Sequence, residues 1–133
     1  MLKIEHIGIA VNDINQSKAL FSKLFNSAPY KEEVVEAEHV KTSFYKIGDT
    51  KIELLEATAE SSAIKSFIQK KGEGVHHIAY EVEDIEKEME RLKNEGFQLL
   101  SDKPKKGADN KIICFLHPKS TNGVLIELCQ EIK

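Results

Sequence analysis

The chain has 133 residues with 19 basic against 22 acidic side chains, a net charge of −3, which suits one domain and excludes a generally basic nucleic-acid binder. Hydrophobic residues make up 41% and charged residues 31%, too apolar a mixture for a disordered chain. The longest apolar run, residues 112–116, is five residues long, so no segment is expected to span a membrane as a helix.

The first strand-like segment, HIGIAVNDI at 6–14, returns as HIAYEVEDI at 77–85, with five of nine positions identical at an offset of 71. No signal-peptide pattern precedes it, and the two cysteines, Cys114 and Cys129, make no disulfide framework. A cytoplasmic protein with free thiols is therefore expected. After this strand Asp13 can cap a helix carrying Ile14, Phe21, Leu24 and Phe25 at helical spacing. Residues 40–47 and 51–56 then read as strands around a Gly48-Asp49 turn. A linking helix starts at Ser61 or Ser62, shows Ile64, Phe67 and Ile68 on one side, and stops at Gly72.

The second copy opens at 77 with the repeated strand. Asp84 caps a helix with Ile85, Met89 and Leu92 in its stripe, and Gly96 ends it. Strands are predicted at 97–101, 111–116 and 124–130. The ending LIELC at 125–129 matches KIELL at 51–55 at an offset of 74. The three extra residues fit a longer turn at 118–123. The expected fold is α+β, with two tandem βαβββ modules forming a concave sheet around a metal site. Module one covers 1–59, the linking helix 60–72 and module two 73–133.

Strand alternation separates two faces. Ile7, Ile9 and Val11 oppose His6, Gly8 and Ala10, and the second copy repeats the pattern with Ile78, Tyr80 and Val82 against His77, Ala79 and Glu81. In the last strand of each copy, Ile52 and Leu54 oppose Glu53, while Ile126 and Leu128 oppose Glu127. The bulky face must cover helices. The other face combines small side chains with a histidine or a glutamate, which leaves room for a ligand. A meander that returns the fourth strand beside the first makes each histidine a neighbour of its glutamate. Pairing the copies then converges His6, Glu53, His77 and Glu127 into a set of two imidazoles and two carboxylates, suited to a divalent transition metal with open positions.

The remaining chemistry-bearing residues read as structural or solvated. His76 points away from His77, and His39 precedes a strand. His117 sits on the longer turn, at a pocket mouth or on the surface. Lys103, Lys105, Lys106 and Lys111 cluster near Gly107, as a solvated charged loop or as a hold for a phosphate-bearing ligand. Cys114 and Cys129 are expected to be buried thiols with nothing to activate them.

These features resemble the vicinal oxygen chelate superfamily and, within it, the methylmalonyl-CoA epimerases. The resemblance is carried by His6-Ile7-Gly8-Ile9-Ala10-Val11, Lys51-Ile52-Glu53-Leu54-Leu55-Glu56, Gly72-Glu73-Gly74-Val75-His76-His77-Ile78-Ala79, Phe115-Leu116-His117-Pro118-Lys119 and Gly123-Val124-Leu125-Ile126-Glu127-Leu128. It implies metal ligands at His6, Glu53, His77 and Glu127, and cobalt as the ion, with nickel, manganese or zinc as alternatives. It also implies an acyl-CoA substrate and a homodimer, while charge and the short apolar runs leave neither nucleic acid nor membrane as an expected partner. The implied reaction interconverts (R)- and (S)-methylmalonyl-CoA by removal and return of the proton α to the thioester. Glu127 is expected to be one acid/base. Some relatives carry a second catalytic glutamate where this chain has Thr42, and a glutamine where it has Glu53. The second proton donor is therefore expected to be Glu53 itself or a water on the metal.

Two rivals share the fold. Lactoylglutathione lyase (glyoxalase I) resembles the chain in its ligand set. Residues 28–38, APYKEEVVEAE, lack that family's early arginine and asparagine, however, and His-Pro-Lys stands where it has Asp-Pro-Asp-Gly. A non-catalytic binding or resistance protein of the fold is the other, and the full set of four donors argues against it.

Overall fold

In the computed structural model, which describes residues 1–133, the chain forms two compact units. One is made of Ile7–His76, the other of Met1–His6 together with His77–Lys133. The first strand, β1 (Lys3–Ala10), therefore gives its first four residues to the second of these and its last four to the first.

In the unit Ile7–His76, β1 is followed by α1 (Ile14–Phe25), β2 (Lys31–Val35), β3 (Val40–Ile47), β4 (Thr50–Ala57) and α2 (Ala63–Lys71). The strands lie in the order β2-β3-β4-β1, so the fourth strand does return beside the first. The amide of Val11 donates to the carbonyl of Leu55 at that junction. Helix α1 begins where the sequence predicts. Asp13 is extended, and its carboxylate accepts from the amides of Asn15 and Gln16. Its backbone carbonyl takes the Ser17 amide. The remaining first-turn donor, the Ile14 amide, reaches the carboxylate of Glu56 on β4 at 2.8 Å. The amides of Ile14, Asn15 and Gln16, which a helix start leaves without intrahelical partners, are thereby satisfied. Asn26, in the left-handed region, closes the other end.

Helix α1 packs Ile14, Phe21 and Phe25 against Ile9, Val11, Tyr45, Ile52 and Leu54. Each large side chain fully buried there contributes about 2 kcal/mol. Leu24 does not join them: it is 69% exposed, because the burial stripe ends at Phe21 and Phe25. The opposite side of the strands is covered at one end by α2, whose Ile64, Phe67 and Ile68 pack on Ala10, Val40, Leu55 and Ala57.

The other unit contains β5 (Gly74–Glu81, from His77 onward), α3 (Ile85–Asn94), β6 (Lys105–Lys106), β7 (Lys111–Leu116) and β8 (Ile126–Glu131). Its strand order is β1-β5-β8-β7-β6. Strands β5 and β8 pair in parallel with Ala79 opposite Glu127, and β7 runs antiparallel to β8 with Phe115 opposite Glu127. The repeat seen in the sequence returns as repeated bonding. Asp84 caps α3 through the Lys87 amide, Gln130 on β8 accepts the Ile85 amide at 2.8 Å, and the Val82 amide donates to the Cys129 carbonyl. Helix α3 buries Ile85, Met89 and Leu92 against Val82, Cys114, Leu116 and Leu128.

Two segments differ from expectation. Residues 97–101 form no regular strand. They follow β7 through scattered contacts, a Leu99–Leu116 bridge and the Leu100 amide on the Phe115 carbonyl, while the Gln98 amide turns to the Ser120 hydroxyl. The short strand beside β7 lies instead at Lys105–Lys106. Strand β2 was not anticipated, since its sequence, KEEVV, carries charge and buries no residue. No helix is long and apolar enough to cross a membrane.

Candidate metal centre

Three strands of the second unit bring their chemistry-bearing residues together. Alternation on β5 and β8 directs His77 and Glu127 to the face that does not carry α3, and β1 supplies His6 beside β5. All three residues are buried, at 7%, 4% and 4% exposure for His6, His77 and Glu127. The outer ring nitrogens, Nε2 of His6 and Nε2 of His77, are 3.0 Å apart. Oε1 of Glu127 lies 3.2 Å from His77 Nε2, and its Oε2 lies 3.6 Å from His6 Nε2. One ligand atom from each of the three residues falls within 4.8 Å of the others. The imidazole rings stand nearly perpendicular, at 87°, and the edge of Phe115 meets His77 at 5.8 Å between centroids.

Burial raises the cost of ionising Glu127, but the imidazoles beside it, His6 ahead of His77, outweigh that cost and hold the carboxyl below its ordinary range. The donor set fits a divalent ion. Two nitrogens and a carboxylate aim at a common point inside the protein, where a cation would replace the mutual contacts of groups that otherwise repel or share a proton. The chemistry of these donors does not select among cobalt, nickel, manganese and zinc.

Glu53 is buried at 5% exposure in β4 of the unit Ile7–His76, opposite Phe44 of β3. Thr42 is fully buried in β3, where its hydroxyl donates to the Glu33 carbonyl at 3.0 Å, so it serves the β2–β3 pairing. His76 packs its ring on Phe67 at 5.0 Å, and burial, aided by Lys71, lowers its pKa to about 4. His117 caps the short turn Pro118–Thr121, its Nδ1 accepting the Lys119 amide, and His39 ends the turn Glu36–Glu38 in the left-handed region. Lys103, Lys105 and Lys106 are exposed, whereas Lys111 is buried and its ammonium donates to the Asp109 carbonyl. Both thiols are buried, and burial pushes both pKa values up, which leaves them unreactive.

One residue at this centre escaped the reading of the sequence. Glu5 is 2% exposed, and its Oε1 lies 3.1 Å from Nδ1 of His6. The repeat gave no signal for it, because the matching position in the second copy is His76. A glutamate directly before a strand histidine, in an otherwise apolar stretch, was the only clue.

Residues 5–115 match the family model described as the Glyoxalase/Bleomycin resistance protein/Dioxygenase superfamily. The chain is 36% identical over 130 residues to the uncharacterized protein YqjC of Bacillus subtilis, covering 98% of this chain and 93% of that one. It is 41% identical over 134 residues to the ethylmalonyl-CoA/methylmalonyl-CoA epimerase of Cereibacter sphaeroides, covering 96% and 97%. Among solved structures, a variant of Streptomyces coelicolor methylmalonyl-CoA epimerase in complex with 2-nitronate-propionyl-CoA superposes with a TM-score of 0.95. Its identity to this chain is 34%, with 98% and 95% covered.

Proposed function

The chain belongs to the Glyoxalase/Bleomycin resistance protein/Dioxygenase superfamily, and we propose that within it the chain is a metal-dependent epimerase of methylmalonyl-CoA. The observation that carries the reading is the buried convergence of His6, His77 and Glu127. A relative named for epimerisation of this class of thioester, 41% identical over nearly its whole length, supports the substrate class.

The reaction asks for removal of a weakly acidic proton α to a thioester and its return on the opposite side. A divalent ion held by His6, His77 and Glu127 would act as a Lewis acid on the thioester carbonyl. Glu127 remains ionised at neutral pH because the two imidazoles hold its pKa down, so it is ready to accept the proton. Its burial excludes water that would otherwise compete for the developing charge. The second acid, which in its protonated form gives the carbon a new proton while Glu127 passes its own to solvent, is assigned to Glu53, the matching glutamate of the first copy. Phe115 and Ala79 flank Glu127 on the neighbouring strands and give the reacting carbon an apolar seat.

The test follows α-proton exchange of (2R,2S)-methylmalonyl-CoA in deuterated water with the metal removed and then restored. Exchange that disappears on chelation and returns with the ion supports the proposal. Exchange indifferent to chelation overturns the ligand assignment. Conversion of a hemithioacetal without exchange on the acyl-CoA transfers the chain to lyase chemistry.

A further inference from the structure

The Glu5 carboxyl group is buried beside a candidate metal ligand, and nothing in the proposed reaction uses it. Taking a carboxylate out of water is expensive, so a buried one persists where specific partners satisfy it. Here Oε1 of Glu5 meets Nδ1 of His6 at 3.1 Å. A neutral imidazole has one N–H and one lone pair, and the partner of one nitrogen decides the state of the other. At that distance one group donates and the other accepts, and a carboxylate oxygen accepts the N–H of Nδ1. The lone pair of His6 is then on Nε2, the atom 3.0 Å from His77 Nε2 and 3.6 Å from Glu127.

The arrangement is not a product of the duplication. At the offset of 71, Glu5 corresponds to His76, whose ring meets Phe67 edge to face. One copy has a carboxylate behind its ligand histidine, and the other has an imidazole facing an aromatic ring.

We propose that Glu5 is a positioning residue of the metal centre, which fixes the His6 ring with Nδ1 protonated so that Nε2 presents its lone pair to the ion. This rests on the metal-centre reading above. Such a partner also makes the imidazole a stronger donor, and its loss typically costs about 10–100-fold in metal affinity.

The experiment titrates cobalt(II) alone into wild type, Glu5→Gln and Glu5→Leu against a competing chelator. The side-chain tautomer of His6 is read in the metal-free proteins by nitrogen-15 NMR. Wild type is expected to bind cobalt(II) and to show His6 protonated at Nδ1. Glu5→Leu, which removes both charge and acceptor, should lose affinity by about 100-fold and show mixed tautomers. Glu5→Gln keeps an acceptor of the same shape and should lose about 10-fold; it carries the test if the leucine variant fails to fold. Wild-type cobalt affinity in Glu5→Gln together with an unchanged His6 tautomer in the folded variants overturns the positioning role. A wild-type protein that takes up no cobalt overturns the metal-centre reading and the proposal with it, an outcome distinct from a variant-specific null.

Discussion

His6 Nε2 and His77 Nε2 stand 3.0 Å apart, although 71 residues separate them in the chain. At that distance two lone pairs repel and two N–H groups clash, so one ring must donate to the other or both must share a cation. Glu127 supplies the negative charge that suits the cation, 3.2 Å from one nitrogen and 3.6 Å from the other.

Glu127→Gln keeps the shape of the side chain while removing its charge and its capacity to take a proton. The variant should fold, bind cobalt(II) weakly, and lose α-proton exchange by at least about 100-fold, the usual contribution of a general base. Exchange in deuterated water measured by NMR decides this. Full exchange in the variant removes Glu127 from the chemistry.

Binding of the ion to the native state alone should stabilise the protein by mass action, by about 2.7 kcal/mol at a metal concentration one hundred times Kd. For a chain of this size that is a rise in Tm of about 10 °C. The rise should vanish in His6→Ala and His77→Ala, which each remove one nitrogen donor. A thermal melt with and without cobalt(II) reads it directly, and an equal rise in both variants would place the ion elsewhere.

Much of this centre was legible because the chain says it twice. The histidine and glutamate positions repeat at offsets of 71 and 74, and the same offsets relate the bonds Val11–Leu55 and Val82–Cys129. Helix starts were legible because Asp13 and Asp84 are strong caps with apolar stripes behind them. Strand β2 was not, since an edge strand of charged residues buries nothing and shows no apolar alternation. Residues 97–101 look like a strand by composition, yet strand identity needs a regular partner, and β7 offers them only scattered contacts. Glu5 was invisible to the repeat because the second copy replaces it.

Glu56 and Gln130 occupy matching positions at the offset of 74, and each accepts the first amide of the helix packed on its own unit, from Ile14 and Ile85 at 2.8 Å. Each lies three residues beyond a buried glutamate, so the bond ties a helix to the strand that carries Glu53 or Glu127. Glu56→Ala and Gln130→Ala should each cost about 1 kcal/mol, the usual value of a helix-start cap. Glu56 should cost the more, because its acceptor is charged. Urea denaturation at neutral pH measures both. Unchanged midpoints would show that water replaces the side-chain acceptor without loss.

His76 gives the metal-free fold a weakness toward acid. Burial against Phe67, aided by Lys71, brings its folded-state pKa from 6.5 down to about 4. Between those values the unfolded chain binds a proton at His76 that the folded chain refuses, so unfolding takes up a proton and stability rises with pH. The full contribution is therefore present above pH 6.5 and is lost as pH falls toward about 4. The loss amounts to about 3 kcal/mol at most. His76→Phe keeps an aromatic ring on Phe67 and removes the titration. Urea melts at about pH 7.5 and about pH 5, with the slope of stability against pH as the readout, should show a shallower slope in the variant. An identical slope would assign the acid sensitivity to other groups.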